Sequence, residues 1–329
     1  AGKLPALRSG MRARSRARRG LVHTPDTGVV SAGAKHALFQ LAQVLFDPGD
    51  QVLIPTPSWV SYADQARLCG AEPVFLPCAP EDGFLPRPEA VTAAIGPRTK
   101  AVILCSPNNP TGSAFDERGL AALAEVLRQH NVWIILDEIY AELFYDGGSA
   151  PSLLSVAPDL RERTIIVDGV SKSYAMTGFR VGWILASREI AQACEKLQSQ
   201  CTTSIATLAQ LAAIAALSGD QACVAQMREA YRERRDVLLE GLASIPGFKC
   251  QKPNGAFYVF ADVRGLYGRE VEGRVLQSDV DVAEWLLTAA KVAGVPGVAF
   301  GGPGYVRFSY AAALTDLREA VERIRAVVR

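Results

Sequence analysis

The sequence predicts an α/β protein built on a largely parallel sheet, followed by a smaller α+β region. Two observations lead to that prediction. From Gly20 to about residue 220, short apolar runs rich in β-branched residues alternate with amphipathic helical patterns, as parallel strands and their crossover helices do. Beyond that point, a long helical stretch is followed by separate strands and helices. A chain of 329 residues is long enough for two domains.

The elements of the first region follow one another in regular order. Strands are predicted at residues 51–55, 73–76, 101–105, 132–136, 165–167 and 181–186, and helices at residues 34–46, 58–69 and 116–130. The strands are apolar throughout, which is typical of strands that have both faces covered by helices.

The second region has a different pattern. Residues 191–242 are mostly helical, strands are predicted at 248–251, 257–261 and 306–309, and helices near 280–292 and 314–328. We therefore expect a large domain over residues 1–220 and a small C-terminal α+β domain over residues 221–329, joined by a long helix.

Composition argues against several classes of protein. Lysine and arginine total 35 and aspartate and glutamate total 34, so the charge balance gives no reason to expect nucleic acid or a membrane surface as partner. No apolar run is long enough for a bilayer span. The seven cysteines are scattered without a Cys-x-x-Cys pair. That pattern favours reduced thiols in a cytoplasmic protein and argues against disulfides or structural zinc.

The N-terminal segment is strongly basic, with arginines from Arg8 to Arg19 and no acidic residue before Asp26. Leu4, Leu7 and Met11 recur at helical spacing. We interpret the segment as a helix with one solvated basic face. A transit peptide or a nucleic-acid-binding arm is the alternative.

Lys172 and Arg180 are the first candidates for chemistry. Lys172 lies in Gly-Val-Ser-Lys-Ser-Tyr between two predicted strands, and Arg180 follows eight positions later. A lysine amine can hold a carbonyl cofactor as a Schiff base, and a guanidinium can bind its phosphate. Ser171 offers a hydroxyl beside them. The alternative for Lys172 is an ordinary surface lysine.

Other candidate groups follow predicted strands. Asn109 lies in a turn-forming segment at residues 106–112, and Asp137 and Tyr140 come after the strand at 132–136. Ligands bind at such strand ends in open α/β sheets. Asp137 is suited to a protonated ring nitrogen, and Asn109 and Tyr140 to a ring oxygen. A helix N-cap for Asp137 and a plain turn for Asn109 are the alternatives.

Five further residues are candidates for binding. Gly33, Ala34 and Lys35 precede or open a predicted helix, where free N–H groups attract anions. Trp59 opens another predicted helix, where it either stacks on a ring or packs in the core. Arg307 lies within an apolar strand and needs an anionic partner, either a substrate carboxylate or an internal acidic residue.

Taken together, these segments closely resemble the class I/II aminotransferases of pyridoxal-phosphate (PLP) fold type I, in the bacterial aspartate aminotransferase-like branch. The matching segments are residues 31–39, 57–62, 106–112, 137–140, 171–182, 254–258 and 306–310. Each match has little specificity by itself, but the segments occur in the family's order over nearly the whole chain. The resemblance implies a seven-stranded, mostly parallel sheet in the large domain.

The resemblance also implies a role for each candidate. Lys172 would carry PLP and shuttle the substrate proton, and Asp137 would face the pyridine nitrogen. Asn109 and Tyr140 would bind the ring oxygen, with Asn109 also contacting the substrate carboxylate. The implied phosphate site consists of Arg180, Ser171 and the backbone of Gly33, Ala34 and Lys35; Trp59 would stack on the ring and Arg307 would bind the α-carboxylate. Transamination by ping-pong kinetics follows, with aspartate and 2-oxoglutarate as the family's usual substrates.

Two alternatives share these groups. A PLP-dependent lyase or synthase on the same fold keeps the same cofactor residues. A non-catalytic PLP-sensing regulatory domain fused to a DNA-binding module is the second alternative. The residues leave the amino donor and acceptor open, because Arg307 selects only for an α-carboxylate.

The resemblance further implies a homodimer, with contacts near residues 200–204. Family members carry several dozen residues before the point that matches Ala1. Those residues supply an arm to the partner subunit, a substrate loop, and a tyrosine that reaches the neighbour's phosphate. The given sequence has no counterpart of this arm, and we expect the protein to carry one upstream of Ala1. The alternative is a protein that lacks the arm, with an incomplete small domain and without normal substrate closure and activity.

Overall fold

A computed structural model describes residues 4–21, 24–271 and 273–328, and its centre is a seven-stranded sheet. The strands of this sheet are β1 (Gly28–Ser31), β2 (Gln51–Thr56), β3 (Glu72–Pro77), β4 (Thr99–Cys105), β5 (Trp133–Asp137), β6 (Thr164–Gly169) and β7 (Gly182–Leu185). Their order is β1-β7-β6-β5-β4-β2-β3. The predicted α/β fold with a mostly parallel seven-stranded sheet is confirmed.

One strand runs against the others, and its direction matters for the site. β7 pairs antiparallel with both β1 and β6, whereas the remaining pairs are parallel. The carboxyl ends of β1 to β6 therefore share one edge with the amino end of β7. Ser31 pairs with Gly182 at that edge. Residues that follow the parallel strands and precede β7 are thus brought together.

Nine helices are described before residue 220. They are α1 (Pro5–Arg19), α2 (Ala34–Leu45), α3 (Ser61–Leu68), α4 (Pro88–Ala94), α5 (Glu117–Arg128), α6 (Leu153–Val156), α7 (Val170–Ser173), α8 (Arg188–Cys201) and α9 (Thr207–Ser218). Two buried apolar clusters lie against the sheet, one including Leu123, Ile134 and Trp183 and the other including Leu41, Ile54 and Ile135. Both faces of the sheet are covered, which explains why its strands are apolar throughout.

The C-terminal region forms a second core. Its elements are α10 (Ala222–Ala243), β8 (Lys249–Cys250), β9 (Tyr258–Asp262), β10 (Glu270–Val271), β11 (Arg274–Val275), α11 (Asp279–Ala289), β12 (Val295–Pro296), β13 (Tyr305–Ser309) and α12 (Leu314–Val328). Strands β12-β13-β9-β8 make an antiparallel sheet. The third apolar cluster consists of residues from Leu238 to Val328 together with Tyr145. The exact domain boundary at residue 220 stays a prediction.

The basic N-terminal segment is the helix α1, but its predicted solvated basic face is only partly present: Arg16 is exposed, whereas Arg14, Arg18 and Arg19 are not. Leu7 and Met11 are buried in the first cluster as expected. The side chains of Arg14, Arg18 and Arg19 are only 9%, 6% and 1% exposed. They pair with carboxylates more than a hundred residues away in the chain. The spacing of residues within the helix cannot reveal such distant partners.

Smaller differences concern element ends. The helix expected at residues 58–69 begins at Ser61, and the backbone N–H of Ser58 donates to the carbonyl of Phe300. Trp59 therefore precedes the helix instead of opening it. The short strand β1 had no separate prediction. Within the described residues, no single helix is long and apolar enough to cross a membrane; α9 and α10 reach that length only as a pair bent by 84°.

Candidate active site

The shared edge of the sheet opens into a cavity of about 350 Å³. All the predicted site residues except Gly33 line it, together with five residues that were given no role. The predicted ones are Ala34, Lys35, Trp59, Asn109, Asp137, Tyr140, Ser171, Lys172, Arg180 and Arg307, and the additional ones are Tyr62, Cys105, Ile139, Thr177 and Tyr258. Residues from both regions of the chain therefore face one space.

Asp137 is the buried acid of this cavity. It is the last residue of β5 and only 3% exposed. Its Oδ2 accepts a hydrogen bond from the Tyr62 hydroxyl at 2.7 Å, and its Oδ1 accepts one from the Ile139 N–H at 3.2 Å. No helix starts here, so Asp137 is not an N-cap. Burial raises the pKa of this carboxyl to about 6, although both hydrogen bonds oppose the shift.

Lys172 lies on the single-turn helix α7, directly after β6. Its Nζ is 5.1 Å from the ring centroid of Phe257 and 5.6 Å from that of Tyr140. Burial lowers the pKa of the amine, the positive charges of Arg307 and Arg180 lower it further, and Asp137 opposes them. A larger share of Lys172 is therefore neutral, and so nucleophilic or basic, than of an ordinary lysine.

Arg180 and the start of α2 form an anion cradle. Arg180 precedes β7, and its Nη1 and Nη2 donate to the carbonyls of Thr177 and Ala32 at 2.9 and 3.4 Å. Gly33 has φ +85°, and a Cβ there would lie 2.4 Å from Arg180 Nη2; a Cβ on Gly182 would lie 2.4 Å from the Ala34 nitrogen. Only glycine allows these approaches. The first turn of α2, from Ala34, presents N–H groups without intrahelical acceptors.

Arg307 reaches the cavity from β13 and contacts Asn109. Its Nη1 donates to Asn109 Oδ1 at 2.7 Å, and its guanidinium lies 4.5 and 4.7 Å from the rings of Tyr258 and Phe300. In the part of the chain that the structure describes, no carboxylate pairs with Arg307, and its Nε is buried without a hydrogen-bond partner. Among the described residues, the Arg307 guanidinium therefore has no acidic partner. An external anion would accept hydrogen bonds from its unpaired N–H group.

Two tyrosines link the ring-binding candidates. The Tyr140 and Tyr258 hydroxyls are 2.8 Å apart. When Tyr258 donates, the Tyr140 proton is free to point into the cavity. Burial holds the pKa of Tyr140 well above its ordinary value, with the Tyr258 hydroxyl adding to the effect. The Tyr140 hydroxyl therefore keeps its proton at neutral pH, and either hydroxyl can be the donor within the pair.

Trp59 forms one wall of the cavity. Its ring packs edge-on against Tyr62, with centroids 5.4 Å apart at 88°. The Lys35 Nζ lies 4.7 Å from the Trp59 ring centroid, so the Lys35 side chain faces the cavity while its backbone begins α2. The sequence suggested only the backbone of Lys35 as a binding group.

Tyr62 and Tyr258 were missed as functional residues, although both lie in segments noted for their resemblance. Tyr62 follows Trp59 by three positions, a spacing that places two side chains on one side of a helical turn. That signal was available. The contact between Tyr258 and Tyr140 joins residues 118 positions apart and had no local signal.

Comparison with known proteins gives one consistent result. Residues 3–324 match the family model described as aminotransferase class I and II. The chain is 45% identical over 326 residues to an aspartate aminotransferase of Geobacillus stearothermophilus. The aligned region covers 98% of this chain and 81% of the relative. The chain is 44% identical over 324 residues to a probable aspartate/prephenate aminotransferase of Thermus aquaticus, covering 97% and 80%.

A solved structure agrees with the sequence comparisons. The crystal structure of the aspartate aminotransferase from Rhizobium meliloti superposes on this chain with a TM-score of 0.96 at 39% identity. The superposition covers 99% of this chain and 82% of that one. The likeness therefore includes the seven-stranded sheet and the C-terminal region together.

The buried position of Asp137 predicts a pH-dependent stability of the ligand-free protein. Folding raises the pKa of this carboxyl from 3.8 to about 6, so the folded state binds the extra proton between those pH values. Its contribution is therefore complete below about pH 4 and is lost as the pH rises to about 6. Relative to Asp137→Asn, wild type should lose about 3 kcal/mol of unfolding free energy across this window.

Urea unfolding of both proteins at several pH values measures this difference. Asp64→Asn is the control for the substitution itself, because the Asp64 side chain is 66% exposed. A constant difference between wild type and Asp137→Asn would contradict the buried, proton-binding state of Asp137.

Proposed function

The chain belongs to the class I and II aminotransferases, and on that premise we propose that it moves the amino group of a dicarboxylic L-amino acid such as aspartate to a 2-oxo acid. PLP-dependent transamination is the activity of this family. What the proposal adds is the substrate class and the residue roles. It is carried by one observation: Lys172, Asp137 and Arg307 face a single cavity with Arg180 at its edge.

The donor set fits pyridoxal phosphate. Asp137 holds the ring nitrogen, since a buried carboxyl with a raised pKa is suited to a shared proton. The Asn109 amide and the Tyr140 hydroxyl bind the ring oxygen, and Trp59 covers a ring face. The cradle at Gly33, which a Cβ would fill, takes the phosphate. Lys172 supplies the amine for the aldehyde.

The phosphate is held by three kinds of donor. The Arg180 guanidinium is a bidentate partner for phosphate oxygens. The Ser171 hydroxyl and the N–H groups of Ala34 and Lys35 complete the set. The helix dipole of α2 adds a favourable positive end.

Each catalytic residue has a defined task once cofactor and substrate are bound. The cofactor supplies an electron sink for the substrate Cα. The neutral amine of Lys172 would accept the proton from the substrate Cα and hold it for its return. Arg307, oriented by Asn109, binds the α-carboxylate, which satisfies the Nε that is otherwise without a partner. Phe257 and Tyr140 limit the access of water to Lys172.

Lys35 provides the preference for a second carboxylate. The described residues that line the cavity include four cationic side chains, Lys35, Lys172, Arg180 and Arg307. Three of them are used by the cofactor and the α-carboxylate. The Lys35 ammonium, which rests on Trp59, is the one left for a distal carboxylate. Relatives named aspartate or aspartate/prephenate aminotransferases support this substrate class.

A second copy of the chain is proposed as partner. Leu208 and Leu211 are 81% and 52% exposed and lie three positions apart on α9, just after residues 200–204. Neighbouring exposed leucines form an apolar patch of the kind found at protein interfaces. The patch begins four residues after residues 200–204, the stretch near which the resemblance places the dimer contact.

Lys172→Ala should remove the reaction. With pyridoxal phosphate, aspartate and 2-oxoglutarate, we expect glutamate formation to fall by roughly 10³-fold or more, because both the covalent anchor and the proton acceptor are lost. Lys196→Ala, at an exposed position on α8, should behave as wild type. Borohydride reduction followed by peptide mass analysis should label Lys172 in wild type. A reducible adduct in Lys172→Ala, or the absence of glutamate formation by wild type, would count against the proposal.

Lys35→Met should change substrate preference more than overall activity. We expect kcat/KM for aspartate to fall roughly 10- to 100-fold, as for the loss of a charged hydrogen bond, with little change for alanine. The matched control is Lys100→Met, which removes a half-exposed lysine beside Asp50. Steady-state kinetics with both donors measures the ratio. Equal losses for aspartate and alanine would show that Lys35 does not select the distal carboxylate.

Leu208→Lys with Leu211→Lys should weaken the dimer. Light scattering after size exclusion should give twice the chain mass for wild type and a lower mass for the double variant, since two charges on the patch oppose burial. Leu287→Lys on α11, at a residue 53% exposed, serves as control. A monomeric wild type at micromolar concentration would refute the proposed partner.

A further inference from the structure

Arg14 contacts the chain on both sides of Lys172. Its Nε donates to Asp168 Oδ2 at 3.1 Å, and Asp168 precedes Lys172 by four residues. Its Nη2 and Nη1 donate to the Ser173 and Tyr174 hydroxyls at 3.0 and 3.4 Å, directly after Lys172. One guanidinium thus spans the turn that presents the amine.

Arg18 and Arg19 connect this turn to the strand end that carries Asp137. Arg18 Nη1 donates to Asp168 Oδ2 at 3.2 Å, and its Nη2 donates to Glu138 Oε2 at 3.1 Å. Arg19 Nε donates to the same Glu138 oxygen at 3.0 Å. Since Glu138 directly follows Asp137, the cluster bridges the ends of β6 and β5.

The charged residues of this cluster form ion pairs with one another. Three arginines meet three carboxylates, those of Glu138, Glu142 and Asp168, and none of these six residues lines the active-site cavity. The Ser152 hydroxyl donates to the second Glu138 oxygen at 2.5 Å. Such a paired, buried set holds its members at fixed distances, because any separation leaves a charge unpaired.

The helix that carries Lys172 depends on such support. α7 has four residues, and a single helical turn is not stable without tertiary contacts. Asp168 Oδ1 accepts the Gly169 N–H at 2.7 Å, and the Val170 N–H donates to the Val181 carbonyl at 3.2 Å. Arg14 adds hydrogen bonds on both sides of the turn, beside those of Arg18 to Asp168 and of the Tyr174 hydroxyl to Gln221.

We propose that Arg14 is a positioning residue for the amine of Lys172, acting from α1 through Asp168 and Ser173. This inference rests on the proposed function, because it assigns a remote residue to the placement of the proposed cofactor-binding lysine. Arg18 and Arg19 keep the Lys172 turn in register with Asp137. The N-terminal helix is thereby part of the catalytic apparatus without touching substrate or cofactor.

The test uses the protein loaded with pyridoxal phosphate and titrates the absorbance of the Lys172–cofactor linkage against pH. In Arg14→Gln the turn loosens and the nitrogen becomes better hydrated. We therefore expect the pKa of the linkage to rise by about half a unit to one unit. We also expect kcat to fall roughly 10- to 100-fold with KM little changed, since Arg307 is untouched.

Arg14→Lys separates position from charge. An ammonium cannot reach Asp168, Ser173 and Tyr174 together, so this variant should resemble Arg14→Gln; a normal pKa and kcat in it would overturn the proposal. Arg16→Gln, at an exposed position on the same helix, should match wild type.

Ser173→Ala is the milder variant if Arg14→Gln does not fold. It removes one hydrogen bond from Arg14 and should give a smaller shift in the same direction. An unshifted pKa combined with a lower melting temperature would show a purely structural role and overturn the proposal. Absence of any pyridoxal absorbance in wild type would be a different result, because it refutes the proposed function itself and the inference with it.

Discussion

Burial of charge without a matching ion pair is the constraint on which this molecule depends. Asp137, Lys172 and Arg307 all lose water at one edge of the sheet, and burial shifts the pKa of each toward its neutral form. Within the described residues they hold hydrogen bonds and ring contacts in place of ion pairs. Buried ionisable groups without ion-pair partners bind an anionic, proton-exchanging ligand well, because the ligand forms the ion pairs and hydrogen bonds that the protein does not provide.

The rest of the structure stabilises that unfavourable arrangement. Immediately behind the cavity, three arginines of α1 meet three carboxylates in a fully paired cluster. The same two strand ends therefore carry unpaired charges toward the cavity and paired charges away from it. Asp137 and Glu138 are adjacent in sequence and show the difference directly: burial raises the pKa of the first, whereas arginine partners hold the pKa of the second below its ordinary value despite burial.

The antiparallel strand β7 and two glycines explain the phosphate end. Because β7 starts at the edge where the other strands end, Arg180 arrives beside the first turn of α2. Gly33 and Gly182 have no Cβ to hold the two segments apart. The direction of β7 and the missing Cβ atoms of the two glycines together form the cradle. No single residue type in the sequence would indicate the shape of this cradle.

The sequence alone determined the elements and the chemistry of the candidate residues. Uniform apolar runs specified strands buried on both faces, and the polar residues after them had to gather at one edge, since parallel strands end together. Tertiary structure decided which partners those residues meet. The bond from Tyr62 to Asp137, the pair of Tyr140 with Tyr258, the side-chain direction of Lys35 and the burial of Arg14 all join segments distant along the chain. Local periodicity indicates which face of a helix a residue occupies, but not what packs against that face. Arg14, Arg18 and Arg19 of α1 were therefore wrongly assigned to solvent.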